Sequence, residues 1–126
     1  MGPADADASV PMVGRRLRLT ISDPWEVGGR NLLATVAAVD LRQPPRADLV
    51  LGRLLVPLWW RGKPVEYLAL QARHEGQSVA DLLDGREVTC NAVAVSEQDA
   101  AGPSPWGADR WRGGFGAVLT AVLVET

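Results

Sequence analysis

Apolar and polar residues alternate with period two along much of the chain, and that alternation divides it into strands. From Arg15 to Ile21, Leu17, Leu19 and Ile21 alternate with Arg16, Arg18 and Thr20, the pattern of a strand with one face on a core and one in water. Leu32 to Leu41 is apolar on both alternating sets, and its Gly- and Pro-containing flanks predict a covered strand rather than a buried helix. Asp48 to Pro57 predicts a third strand, with Gly52 marking a bulge or sharp bend and Pro57 ending the element. Trp59-Trp60-Arg61-Gly62-Lys63-Pro64 reads as a hairpin-like connection into a fourth strand, Val65 to Ala72. Glu87 to Val95 and Phe115 to Glu125 predict the fifth and sixth.

Between the fourth and fifth strands, Ser78 stands three residues before Asp81 and the run closes on Gly85. This signature predicts one short helix, of about two turns, over residues 78–84. Ser22 to Arg30, Arg42 to Arg46 and Arg73 to Gly76 carry the prolines and glycines of reversals, and Ser96 to Arg110 is a long loop. The Ala/Asp/Pro-rich residues 1–13 lack periodicity and predict a mobile tail ahead of a single β-rich domain over 14–126.

Six strands with so little helix cannot be a covered parallel sheet. The expected architecture is mainly β: a small antiparallel six-stranded barrel or a strongly curved sheet. If the strands run up and down in sequence order, the connections after the first, third and fifth emerge at one end. That end would collect Trp25, Trp59, Trp60, Trp106 and Trp111, while Arg42, Arg46 and Arg73-His74-Glu75 would lie at the other.

Composition narrows the function classes more than it selects among them. The chain has 126 residues, 47% hydrophobic and 22% charged, which suits one globular domain held by an ordinary apolar core. Thirteen basic against fifteen acidic residues give a net charge of −2, and two of the acids, Asp5 and Asp7, belong to the tail. A body so close to neutral lacks the broad positive field of a non-specific nucleic-acid or membrane binder. All the basic residues except Lys63 are Arg, a bias that fits a GC-rich genome. One cysteine, Cys90, allows no intrachain disulfide, and the first residues lack the basic start and apolar run of a secretory signal, so the cytosol is the expected compartment. The longest apolar stretches fall far short of the ~20 residues that span a bilayer as a helix, and no membrane partner is expected.

Catalytic constellations are sparse. His74 is the only histidine, so any general base must be His74. Cys90 sits between Val88 and Ala92 on one strand face, the place of a small buried hydrophobe rather than a nucleophile. One His and one Cys cannot make a structural zinc site, and no Gly-x-Ser-x-Gly elbow is present. Trp111-Arg112-Gly113-Gly114-Phe115-Gly116 lacks the Lys-Ser/Thr of a phosphate-binding loop. No cofactor or metal is expected.

The best functional signal is the tryptophan end, where Trp25, Trp59, Trp60, Arg61, Trp111 and Arg112 have the aromatic and Arg composition of binding hot spots. The competing reading is that these tryptophans plug the barrel end as core, with Arg stacked upon them. The expected function is a non-enzymatic accessory module that contacts a protein partner, a second copy of itself included, through these loops. The alternative is a single-stranded nucleic-acid binder of the OB or cold-shock type, its tryptophans stacking bases while Arg61, Lys63 and Arg112 meet phosphates. Least supported is a small enzyme with His74, Asp23 and Glu75 around one pocket.

Overall fold

The structure is a computed structural model that describes residues 12–24, 26, 31–40, 48–96 and 116–124. Six strands, β1 (Arg16–Asp23), β2 (Asn31–Asp40), β3 (Leu49–Trp60), β4 (Lys63–Ala72), β5 (Val88–Val95) and β6 (Gly116–Val124), form a closed barrel in sequence order. Each is antiparallel to the next, and β6 returns to pair with β1 from Arg16↔Val124 to Asp23↔Val118. Of the two expected forms, the barrel is the one adopted.

The period-two pattern explains which side chains enter it. Leu17, Leu19 and Ile21 of β1 are buried while Arg16 and Arg18 face water. Ala34 and Val36, Val50 and Leu54, Leu68 and Leu70, Cys90 and Ala92, and Ala117, Leu119 and Ala121 join them from the other strands in one core. Eight strands make an interior that side chains just fill. Six leave less room, so Ala, Cys and Gly take alternate places among the leucines. Gly52 shows how tight this is: it lies between Val36 and Leu68 in the ladder, and a Cβ on it would stand 3.3 Å from the Ala34 Cβ.

One end is closed by Met12, Val79 and Leu82, all fully buried. Val79 and Leu82 belong to a 3-10 helix, Val79–Asp84, between β4 and β5. Its start is a capping box: the Ala80 N–H donates to the Ser78 hydroxyl oxygen and the Ser78 N–H to the Asp81 carboxylate, both at 3.1 Å. Its end is Gly85 at φ 77°. The Ser78 hydroxyl also donates to the Asp48 carboxylate just ahead of β3, which ties the helix to the barrel rim. A second cluster, Leu51, Ala69, Val93 and Val95 with Tyr67 and Ala38 against it, is buried on the outer face of β3–β5.

Several expectations change. Pro57 does not end β3, which runs on to Trp60. Pro57 falls where the β3–β4 ladder passes from Arg53↔Tyr67 directly to Leu58↔Val65, so no ladder bond is asked of it. Gly52 is not itself a bulge. The shift beside it lies on β2, at Ala37, and Gly52 serves close approach instead. The expected short helix is present as a 3-10 helix, consistent with a span of only six residues. Met12, assigned to the tail by its sequence, is core. It is held by a turn in which the Arg15 N–H donates to the Met12 carbonyl at 3.1 Å and the Gly14 N–H to the Val36 carbonyl at 2.8 Å. Residues 1–11 of the expected tail, the reversal at Arg42–Arg46 and the loop over residues 97–115 lie outside the described residues.

If the narrow interior sets the register, Gly52→Val should lower the unfolding free energy by about 1–3 kcal/mol through overpacking against Ala34. Arg18→Val, at an exposed position of β1, should stay within about 0.5 kcal/mol. Urea titrations of the two variants beside the parent check both.

Candidate functional site

In a closed barrel of sequential antiparallel strands, the β1–β2, β3–β4 and β5–β6 connections leave from one end, opposite the Met12 plug. At this end the β3–β4 hairpin outgrows its neighbours. The β2–β3 ladder stops at Ala34↔Leu54 and the β4–β5 ladder starts only at Tyr67↔Val95. Beyond these points Leu55–Trp59 on one arm and Lys63–Glu66 on the other have, among the described residues, no strand beside them outside the hairpin. Within it Leu58 pairs Val65, Trp59 pairs Pro64 and Trp60 pairs Lys63. Leu54 to Pro57 oppose Glu66 alone, so β3 bulges outward at that level.

The tip is a two-residue turn with Arg61 at φ 51° and Gly62 at φ 79°, the pair of positive values that a I′ hairpin turn requires. Gly62 is at ease there. Arg61 is not, since a left-handed residue with a Cβ costs roughly 1–2 kcal/mol. Its guanidinium lies over the Trp60 ring, 5.3 Å from the centroid, a contact of ~0.5–1 kcal/mol at an exposed site that offsets part of this cost.

Alternation along the hairpin separates the two tryptophans. Leu58 and Val65 point into the barrel and are buried, and Trp60 packs half-buried against the same core. Trp59, one residue away, points outward and is 64% exposed. On the same arm Val56 is 74% exposed and Leu55 42%, and Leu33 of β2 is 40% exposed. Leu33 lies one step past the last β2–β3 pair, Ala34↔Leu54, and Arg18 of β1 is its partner on the other side. Where the ladders part, a depression of about 240 Å³ opens, lined by Thr35, Arg53, Leu54, Leu55, Pro57 and Glu66. Arg53 and Glu66 line this depression together, and Arg18, Arg53, Arg61 and Lys63 are all exposed. Asp23, the last residue of β1, and Glu26 just beyond it are also exposed.

Of the site residues expected from sequence, Trp59, Trp60 and Arg61 lie together on this hairpin, while Trp25, Trp111 and Arg112 lie outside the described residues, as do Trp106 and Arg110. The two competing readings of the tryptophans divide between neighbours: Trp60 belongs to the barrel plug and Trp59 to the surface. Leu33, Arg53, Leu55 and Val56 were not expected in the site. The signal for the last two was the consecutive apolar pair Leu55-Val56 before Pro57, which breaks strict alternation.

The pocket proposed around His74, Asp23 and Glu75 does not assemble. Asp23 ends β1 at the hairpin end of the barrel, whereas His74 and Glu75 follow β4 at the other end and are exposed. Among the described residues, no three His, Cys, Asp or Glu side chains are grouped to hold a metal ion. Cys90 points into the core, its Sγ 3.6 Å from the Val88 carbonyl oxygen, and burial pushes the thiol from an ordinary 9.0 up to about 12. Because the folded value is the higher one, the native chain keeps a proton that the unfolded chain releases above pH 9. The resulting stability is fully present below pH 9 and is lost as pH rises towards about 12. Over that window the parent should lose more stability than Cys90→Ala, and its thiol should react with iodoacetamide only on unfolding; denaturant titrations across pH and mass spectrometry measure the two.

No protein-family model matches the chain, and neither curated proteins nor solved structures show a significant match, so its function is read from its own residues.

Proposed function

We propose that the protein is a non-enzymatic accessory module, acting in a reducing compartment, that holds a protein partner against the outer face of its β3–β4 hairpin. The observation that carries this reading is the exposure of Leu55, Val56 and Trp59 on one arm of the hairpin, with Leu33 exposed on the strand before it. Single exposed hydrophobes are ordinary, but a contiguous apolar patch rimmed by charge marks interaction surfaces. Trp and Arg are also the residues on which binding energy concentrates. Trp59 supplies the anchor. Arg61, held over Trp60 in a backbone conformation that favours glycine, is kept at the tip at a conformational cost, as is common where a side chain serves recognition.

A single-stranded nucleic-acid binder needs several free rings in a row. Among the described residues Trp59 alone is an exposed ring, and its companions Leu33, Leu55 and Val56 are aliphatic, which suits a protein surface better than a base stack.

The test is affinity capture from the cells that make the protein, using the parent, Trp59→Ala and, as a control at the far end, His74→Ala. Trp59→Ala should keep its stability within about 0.5 kcal/mol and lose its partner by about 2 kcal/mol or more, some thirtyfold, while His74→Ala retains it. Partners recovered equally with Trp59→Ala would overturn the reading. So would a shift of Trp59 emission on adding a single-stranded oligonucleotide at low salt that reverses with added salt.

A further inference from the structure

We infer that the depression where the ladders part binds a free α-amino acid with an aliphatic side chain, a site that goes beyond the protein-binding reading anchored on Trp59.

Its lining holds two opposite charges that do not meet. Thr35 and Arg53 are cross-strand partners, Tyr67 is the partner of Arg53 on its other side, and Glu66 is the next residue along β4. Arg53 and Glu66 are thus near neighbours on the two arms of the hairpin, and both line the depression. A guanidinium and a carboxylate so placed would ordinarily close on one another. Among the described residues, neither side chain is in a hydrogen bond or ion pair, with the other or with a third group. The cause lies in the bulge. Arg53 is the last residue of β3 before the register shifts, and Leu54 to Pro57 oppose Glu66 alone, so the ladder that would set the two face to face is interrupted between them. Bulges commonly re-aim side chains beside binding sites. An exposed ion pair adds little stability in water, so leaving this one unmade costs little and keeps both charges for a ligand.

A ligand that satisfies both must itself carry both. The carboxylate of an α-amino acid accepts from the planar fork of Arg53, which suits that group, and from the Thr35 hydroxyl, while its ammonium donates to Glu66. Leu54, Leu55 and Pro57 complete the wall with apolar contact alone, which favours an aliphatic side chain over a charged one. Size agrees: about 240 Å³ is the room of about eight waters at ~30 Å³ each, the bulk of an amino acid such as leucine rather than of a peptide. A simple carboxylic acid leaves Glu66 without a partner and meets its charge, and a simple amine does the same at Arg53.

The probe is L-leucine, titrated into the full chain labelled with nitrogen-15 and followed through the backbone amide spectrum. The amides of Thr35, Arg53 and Glu66 should shift together on one saturating curve. Isocaproate and isoamylamine, which keep the aliphatic chain and one charge each, should bind about tenfold more weakly or worse, and so should leucine to Arg53→Gln and to Glu66→Gln. Unchanged β5 and β6 amides in the two variants show that each folds. No saturating shift by about 10 mM leucine, isocaproate or isoamylamine bound as well as leucine, or undiminished binding to either variant would overturn the inference. Each of these results leaves the reading of Trp59 standing, because that reading is tested by partner capture and not by leucine.

Discussion

Pairing of the last strand with the first, from Arg16↔Val124 to Asp23↔Val118, is the constraint on which the remainder of this structure depends. It removes the two edges that a six-stranded meander would leave open, and it fixes the circumference. A cylinder of that size cannot hold a large side chain at every inward position. Gly52, Ala34, Ala92, Ala117 and Ala121 are the small partners that let Leu17, Leu19, Leu68 and Leu119 fill it. The same closure requires plugs. Met12, Val79 and Leu82 supply the one at the start of β1, and the 3-10 helix is held in place by its own capping box and by the Ser78 bond to Asp48.

At the opposite end the ladders do not all finish together, and the candidate site is a product of that mismatch. The bulge at Leu54–Pro57 lets β3 gain length over β4, so the hairpin tip leaves the cylinder wall after the neighbouring ladders have stopped. Its inner side, Leu58, Val65 and Trp60, still serves the core. Trp59, Leu55 and Val56 have no such duty and stand in solvent, as does Leu33 on β2. The contrast with the outer face of β3–β5 is informative: Leu51, Ala69 and Val93 also point away from the barrel axis, yet they are buried. Among the described residues, four of the five exposed large apolar side chains lie at or just past the points where the ladders stop; the fifth, Val13, precedes β1.

Much of the barrel was legible in the sequence because its cause is local. Leu17-Arg18-Leu19-Thr20-Ile21 can bury only one face of a strand, and Ser78 with Asp81 and Gly85 can only cap and end a short helix. What escaped depends on partners distant in sequence. Pro57 ends a strand that needs its N–H and is harmless in one whose neighbour is absent at that level, and register alone decides which applies. Met12 looks like tail because the core it joins is gathered from strands and a 3-10 helix far along the chain, and the bond that fixes its turn to β2 is made by Gly14. In the site, Trp59 and Trp60 read as two equivalent loop residues. Once both belong to a strand, their adjacency forces them onto opposite faces, so one joins the core and the other the surface. Arg53 and Leu33 gave no signal at all, since their place in the site comes from the β2–β3 register.

The division of one continuous strand between barrel and hairpin is the central physical claim, and hydrogen exchange of backbone amides measured residue by residue tests it most directly. In β4, Tyr67–Gln71 has strands on both sides, while Lys63–Glu66 has, among the described residues, the hairpin arm alone. Slow exchange from Tyr67 to Gln71, together with fast exchange at Glu66 and at Leu55, Val56 and Trp59, is the expected result. Protection of those hairpin amides equal to that of the barrel strands would contradict the claim, because it would mean that the hairpin edges are already paired.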